Sequence, residues 1–108
     1  MDLNLVVLAG RLAVEPETRE FESGSRLIRY LVTVRSEVPR RRVDVLPVTL
    51  WDPPPDVFDV PAAAGQRVWV AGSTQRRFWE AGEGKRSRVE IVAHHVDFSP
   101  EEDENEEK

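Results

Sequence analysis

The stretch from Gln75 to Val92 combines large aromatic side chains with basic ones in what reads as two strands around a glycine-rich turn. Alternate residues of a strand lie on one face, so Gln75, Arg77 and Trp79 would point the same way. A tryptophan ring can stack on the flat face of an unpaired base, and a neighbouring guanidinium can bind a phosphate. This pattern is typical of a surface that binds single-stranded nucleic acid.

Positive charge is concentrated in two segments of the chain. Segment 35–42 has four arginines against Glu37, and segment 76–88 has five basic residues against Glu80 and Glu83, so each carries +3. The basic residues are Arg35, Arg40, Arg41 and Arg42 in the first segment and Arg76, Arg77, Lys85, Arg86 and Arg88 in the second. We predict that both segments act as phosphate-binding arms, with a merely solvated surface as the alternative.

The net charge of −5 lies entirely at one end of the chain. Residues 99–108 carry six acidic residues and one lysine, whereas residues 1–98 carry 14 basic and 14 acidic residues and are neutral overall. Such an acidic segment has too little apolar surface to fold, so we expect a folded domain over 1–98 and a disordered tail over 99–108. The tail either keeps the protein in solution or competes for the basic arms.

Composition favours one small globular domain. The chain has 108 residues, 32% of them charged and 40% hydrophobic, and no cysteine, so its stability must come from packing rather than from disulfides. Its longest apolar run, Leu5 to Ala9, is far too short to span a membrane. Because no signal-peptide pattern opens the sequence, we expect a cytoplasmic protein.

Strand patterns dominate the chain, and together they predict an all-β barrel. The predicted strands are Leu3 to Val14 with a continuation over Thr18 to Phe21, Leu27 to Arg35, Arg42 to Trp51, Arg67 to Trp79, and Lys85 to Phe98. Gly10 and Gly72 interrupt two of them and are predicted bends. Pro61 limits any helix after Pro55 to one or two turns. Closure of the five strands into a barrel would remove exposed edges.

An ordered set of short motifs, spread from about Leu3 to Phe98, resembles bacterial single-stranded DNA-binding proteins. The motifs are Asn4-x-Val6-Val7-Leu8-Ala9-Gly10-Arg11-Leu12 with Pro16-Glu17-x-Arg19, Leu31-Val32-Thr33-Val34, Val48-Thr49-Leu50-Trp51, Gly65-Gln66-Arg67-Val68-x-Val70-x-Gly72, and Arg77-Phe78-Trp79-x-x-Gly82. The resemblance implies a five-stranded OB-fold barrel, with a short or degenerate helix between strands three and four. It also implies sequence-tolerant binding of single-stranded DNA in replication, recombination or repair, close to the nucleoid.

The resemblance places stacking aromatic residues at Trp51 and Trp79. A tryptophan of a small β domain can equally be a core residue, and we expect Trp69, Phe78, Tyr30 and Phe21 mainly in the core. The family's loop between strands two and three and its final hairpin serve as basic arms. These positions correspond to the two basic segments described above.

Several positions depart from the family pattern. Val38 and Val45 stand where the family has two further stacking aromatics, and Leu46 replaces a histidine of the subunit interface. Fewer aromatic side chains for stacking imply weaker binding of DNA or a site that covers fewer nucleotides. The resemblance implies self-association. Because this interface position is altered, we expect either a homodimer or a homotetramer. The tail lacks the family's apolar tip, so we do not expect it to recruit protein partners.

Enzymatic readings find little support in the sequence. Gly82-Glu83-Gly84-Lys85 lacks the first glycine and the hydroxyl residue of a phosphate-binding loop. His94 and His95 are adjacent, so on a strand they face opposite ways and cannot chelate one metal ion. We therefore expect a binding protein without catalysis, metal or cofactor. The alternatives are an OB-fold protein-interaction or primosome-like accessory module and an RNA-binding relative.

Overall fold

The chain folds around six strands and one short helix, in a computed structural model that describes residues 1–99. The first predicted strand, Leu3 to Val14, is shortened to residues 6–12, and its predicted continuation forms a separate strand after the bend at residues 13–14. All the other predicted strands are present to within two residues at each end. The elements are β1 (Val6–Leu12), β2 (Glu17–Glu20), β3 (Arg26–Ser36), β4 (Arg42–Trp51), α1 (Pro55–Phe58), β5 (Arg67–Ala81) and β6 (Gly84–Phe98).

Strand pairing closes the sheet on itself. β1 pairs antiparallel with β5 along its length and with β3 at its end, where Arg11 faces Thr33. β3 pairs with β4 and β5 with β6, and the ring is completed where Val48 of β4 runs parallel to Ile91 of β6. β2 continues the first strand along β3. The prediction of a five-stranded OB-fold barrel is therefore confirmed.

The barrel interior follows the period of two that the sequence predicted. Ile28, Tyr30 and Val32 of β3 are buried together with Val48 and Leu50 of β4. The same core includes Leu12, Val68, Val70 and Ala93. Burying a side chain such as Val, Leu or Ile contributes about 1.5–3 kcal/mol, so this small cluster is the main source of stability in a chain without disulfides.

Two glycines allow the strands to curve tightly. A Cβ atom at Gly10 would collide with the carbonyl oxygen of Thr33, and one at Gly72 would collide with that of Val92. The β5–β6 register also shifts between Ala71 and Gly72. Both positions are therefore the bends that the sequence predicted.

The short helix is confined by prolines. Pro54 precedes α1, Pro55 begins it, and Pro61 follows soon after its end. Val57 and Phe58 still pack against the barrel core. The prediction of a degenerate helix between the third and fourth barrel strands is confirmed.

The β5–β6 hairpin is longer than the barrel that carries it. β1 pairs with β5 only from Arg67 to Gly72, and β4 pairs with β6 only at Ile91 and Val92. Residues 75–90 pair only with each other, around a turn in which Gly82 has a φ of 53°. We call these residues the arm. No third strand pairs with the arm, and nearly all of its residues on both faces are exposed.

Tyr30, the only tyrosine of the chain, provides a probe of the core. Burial raises its pKa from 10.0 to about 12, because the tyrosinate would lose its hydration. The folded state therefore keeps its proton where the unfolded state loses it, so stability is complete below pH 10 and falls as the pH rises towards 12. The full loss is about 2–3 kcal/mol.

We expect the tyrosinate absorbance to titrate near pH 12 in the folded protein and near pH 10 in concentrated urea. The control is Tyr30→Phe, which should abolish the absorbance change and flatten the alkaline loss of stability. A folded-state titration near pH 10 would contradict the buried position of Tyr30.

Candidate nucleic-acid interface

Trp51 ends β4 on the outer face of the barrel and already has two neighbours. Its ring stacks with that of Phe21, with the centroids 5.9 Å apart and an interplanar angle of 25°. The guanidinium carbon of Arg77 lies 5.8 Å from the centroid of the same indole. Phe21 had been expected in the core, and this expectation is wrong, because it lies exposed just after β2 and faces Trp51. No local pattern in the sequence indicates this contact.

Arg77 is held by an acidic partner as well. Its Nε lies 3.4 Å from a carboxylate oxygen of Glu90, whose side chain is only 9% exposed. Register explains the pair, since Glu90 faces Gln75 across the hairpin and Arg77 is two residues further along the same face. Arg77 lies over Trp51, on the same face of the hairpin as Trp79.

Trp79 is the more open of the two predicted platforms. Its side chain lies on the arm and the residue is 43% exposed. The cation beside it comes from the neighbouring strand, where the guanidinium carbon of Arg88 lies 5.8 Å from the ring centroid. Such a cation–π contact fixes the indole without covering it completely. The outer face of the arm thus carries a ring and a guanidinium side by side.

The opposite face of the arm is also exposed, which the sequence did not predict. Phe78 is 61% exposed, and Val89 next to it is exposed as well. Phe78 was expected in the core, as aromatic residues of a small β domain usually are, and it lies on the face of the arm opposite to Trp79. That expectation is wrong because the arm extends beyond the barrel, so its inner face has nothing to cover it. The expectation for Tyr30 is confirmed, whereas Trp69 is exposed on the outer face of β5.

The basic residues near the β3–β4 loop differ in how far acids neutralise them. Arg42 makes two hydrogen bonds to Asp44, of 2.8 and 3.0 Å, and this contact lowers the pKa of the carboxyl while raising that of the guanidinium. Arg41 lies 3.8 Å from Glu37. Among residues 1–99, Arg35 and Arg40 have no acidic partner within 4.0 Å.

The arm carries most of its charge unpaired. Arg76 donates a hydrogen bond to the Ser87 hydroxyl at 3.2 Å. Lys85, Arg86 and Arg88 have no acidic partner within the part of the chain that the structure describes. Side chains of this kind can bind phosphate without first leaving an internal ion pair.

The structure brings Trp51, Arg77, Trp79 and Arg88 to one end of the outer face but leaves the loop arginines at the other. Arg42 and Trp51 are the two ends of β4, so about 30 Å of strand separates them. Val45 lies exposed on the outer face between them, and Val38 is exposed in the loop. We call Trp51 and Trp79, with Arg77 and Arg88, the aromatic cluster. Val45 therefore lies between this cluster and the basic loop, and Val38 lies within the loop.

Comparison with known proteins decides the family. Residues 3–99 match the model of the single-strand binding protein family. The chain belongs to this family. It is 32% identical over 104 residues to the single-stranded DNA-binding protein of Treponema pallidum, an alignment covering 88% of this chain and 57% of the relative. It is 30% identical over 79 residues to single-stranded DNA-binding protein 1 of Nostoc sp., covering 73% and 66%. The chain thus spans less than two thirds of either relative.

A solved structure supports the fold independently. The Plasmodium falciparum SSB complex with ssDNA superposes with a TM-score of 0.77, covering 93% of this chain and 97% of that one. At 20% sequence identity this likeness establishes the architecture. Residues 100–108, to which most of the predicted tail belongs, lie outside the described residues.

No helix within residues 1–99 is long and apolar enough to cross a membrane. In the same part of the chain, no three His, Asp or Glu side chains lie together as a metal site would need. His94 instead lies 3.5 Å from the Ser73 hydroxyl through its Nε2.

The two candidate platforms should differ in their contribution to stability. Trp51→Ala removes the contacts with Phe21 and Arg77, so we expect the free energy of unfolding to fall by about 1–3 kcal/mol. Trp79→Ala on the exposed arm should cost less than about 1 kcal/mol. Urea unfolding followed by circular dichroism measures both without relying on tryptophan fluorescence. Equal losses would contradict the packed environment of Trp51.

Proposed function

We propose that this chain binds single-stranded DNA with little sequence preference, stacking bases on Trp51 and Trp79 and holding phosphates with basic side chains. The single observation that carries this proposal is the exposed Trp79 ring with Arg88 beside it, on an arm that the barrel leaves open. The proposed phosphate ligands are Arg35, Arg40, Arg41, Arg42, Arg76, Arg77, Lys85, Arg86 and Arg88.

The relatives support this proposal by their names, since those of Treponema pallidum and Nostoc sp. are called single-stranded DNA-binding proteins. We carry that activity over to this chain, with roles in DNA replication, recombination and repair and a cytoplasmic location at the nucleoid. The proposal assigns the chain no catalytic step and no cofactor. It places binding in residues 1–98 and leaves the acidic residues beyond as a separate tail.

The contacts that each residue already makes within the site indicate how much it can contribute to DNA binding. Trp79 can offer an open ring face, and base stacking contributes about 1–3 kcal/mol per base. A base that stacks on Trp51 must share the ring with Phe21 and Arg77. Arg42 and Arg77 must also exchange Asp44 and Glu90 for a phosphate. We therefore infer that Trp79 and the unpaired cations of the arm contribute more than Trp51 and Arg77.

Titration of labelled oligo-dT, followed by fluorescence anisotropy, tests the proposal. We expect the wild-type chain to bind, with an affinity that falls steeply as salt rises because phosphate contacts release counterions. Trp79→Ala should raise the Kd about 5- to 150-fold, the range that one lost stacking contact gives.

The matched control is Phe78→Ala, which removes the neighbouring ring from the opposite face of the arm. An equal loss in both variants would contradict the proposed face. A folded wild-type chain that binds no oligo-dT at low salt would overturn the function and favour the protein-interaction module. Equal affinity for oligo-rU would favour the RNA-binding relative.

We further propose that the chain self-associates, as a homodimer or homotetramer, through the part of the outer face of β1 and β5 that holds Val7 and Trp69. Leu5, Val7 and Trp69 are all exposed there, with Val7 58% exposed. Register makes them neighbours, because Val7 faces Ala71 and Ala9 faces Trp69. A contiguous apolar face of this kind is typical of protein interfaces.

Solution mass tests this surface. We expect sedimentation equilibrium to give a multiple of 12.3 kDa for the wild-type chain and a smaller mass for Val7→Lys, which buries a charge in the interface. Val60→Lys, at another exposed apolar position after α1, is the control and should leave the mass unchanged. A monomeric wild-type chain would refute self-association, and an unaltered Val7→Lys oligomer would refute this surface.

A further inference from the structure

A second basic site lies on the outer face of the barrel, away from the aromatic cluster. It is a cleft of about 470 Å³ at the point where β1 passes from β5 to β3. Arg11, Arg35 and Arg67 line it together with Thr33, and none of its lining residues is acidic. Neither Arg11 nor Arg67 belongs to the two basic segments that the sequence singled out.

Strand register explains why these side chains meet. Arg11 pairs with Thr33 of β3 on one side and with Arg67 of β5 on the other. Leu12 and Val68, the next residues along β1 and β5, point into the core, so Arg11 and Arg67 point outward. Arg35 follows Thr33 by two residues on the same face of β3. Three adjacent strands thus direct three guanidinium groups into one cleft.

The base of the cleft is held in place by hydrogen bonds. Arg11 donates from Nη1 to the carbonyl oxygen of Gly65 at 2.9 Å. The N–H of Gly65 donates to the Leu12 carbonyl at 2.8 Å, and the N–H of Leu12 donates to the Gln66 carbonyl at 2.9 Å. These bonds tie the loop before β5 to the end of β1. The cleft is therefore largely formed before any ligand arrives.

Charge makes an anion the expected ligand. Among residues 1–99, neither Arg35 nor Arg67 has an acidic partner within 4.0 Å. The guanidinium groups of Arg35 and Arg67 repel one another where they converge, and a bound phosphate relieves this repulsion while accepting paired hydrogen bonds. Arg42 and Arg77 differ in this respect, since each already has a carboxylate.

Continuity with the other basic residues favours a strand over a small free anion. Arg35 lines the cleft and also begins the segment that leads to Arg40 in the β3–β4 loop. Leu27 of β3 pairs with Trp51, so Arg35 lies about 26 Å further along that strand from the aromatic cluster. A chain of several nucleotides could extend from the cluster, past the loop, to the cleft.

We propose that this cleft binds the sugar–phosphate backbone of single-stranded DNA that extends beyond the aromatic cluster. The proposal rests on the proposed function, to which it adds a subsite and a further phosphate ligand, Arg67. The subsite accounts for affinity that depends on strand length rather than on base identity, since its lining residues include no aromatic ring.

The experiment compares a short oligo-dT of about 5 nucleotides with one of about 25, a choice set by the roughly 4–16 nucleotides that one OB fold occupies. Arg67→Gln keeps the aliphatic stem and removes one charge. We expect the variant to bind the long strand about 3- to 10-fold more weakly. The slope of log K against log salt should become less negative by about 0.7, because one phosphate contact is lost. The short strand should bind as it does to the wild type.

The matched control is Arg19→Gln, an exposed arginine of β2 at the far end of β3 from the cleft. Equal effects of Arg67→Gln and Arg19→Gln on the long strand would overturn the subsite while leaving the proposed function intact. Equal weakening of both strand lengths by Arg67→Gln would also overturn a separate subsite. The N–H of Ser99 donates to the Arg67 carbonyl, so the acidic residues after Ser99 follow the cleft in the chain. Tighter DNA binding by Arg67→Gln would overturn the subsite and indicate that these acidic residues are the ligand of the cleft. A wild-type chain that binds neither strand would overturn both proposals.

Discussion

The β5–β6 hairpin is longer than the barrel that carries it, and this difference in length determines which side chains of the candidate nucleic-acid interface are exposed. A barrel of this size pairs β5 only up to Gly72 on its β1 side, yet both hairpin strands run for 15 residues. The surplus must project, because each further residue finds a partner only on the opposite strand of the hairpin. Projection keeps Trp79 out of the core and gives the cations of the arm room to remain hydrated. The same length exposes Phe78, so the exposure of one aromatic residue entails that of the other.

Acidic side chains of the folded protein compete with a phosphate ligand for the arginines. Residues 1–98 are neutral overall, so attraction for a polyanion depends on where the charges lie rather than on their sum. Glu90 and Asp44 each hold one arginine at the positions suggested by the sequence, whereas the unpaired cations lie on the arm and in the cleft of Arg35 and Arg67. A phosphate that binds Arg77 must compete with a nearly buried carboxylate. Occupancy of the site should therefore begin at the unpaired groups.

The sequence predicted the barrel almost completely because strand alternation, glycine bends and proline positions are local signals. Ile28, Tyr30 and Val32 share one face of a strand by their period of two, and that face is the buried one, while Gly10 and Gly72 were predicted as bends and are bends. The candidate site was predicted less completely. Alternation shows which face a side chain occupies but not which strand lies beside it, so neither the contact of Arg77 with Trp51 nor that of Arg88 with Trp79 was predicted. The cleft escaped prediction for the same reason, since Arg11 and Arg67 are far apart in sequence and only strand register joins them.

The distribution of apolar and charged groups over the outer face places the proposed self-association and the proposed strand binding on different parts of one curved sheet. Leu5 and Val7 lie on the β1 side with Trp69, whereas Trp51 and Trp79 lie where β4 and the arm meet. Arg67 and Trp69 are two residues apart on β5, so the cleft borders the apolar face directly. A second copy seated on that face would bring its own cleft near the first. Two clefts joined in this way would extend the basic path from one subunit to the next, so a strand too long for one barrel could continue along its partner, and affinity would rise with length through effective concentration rather than through new contacts.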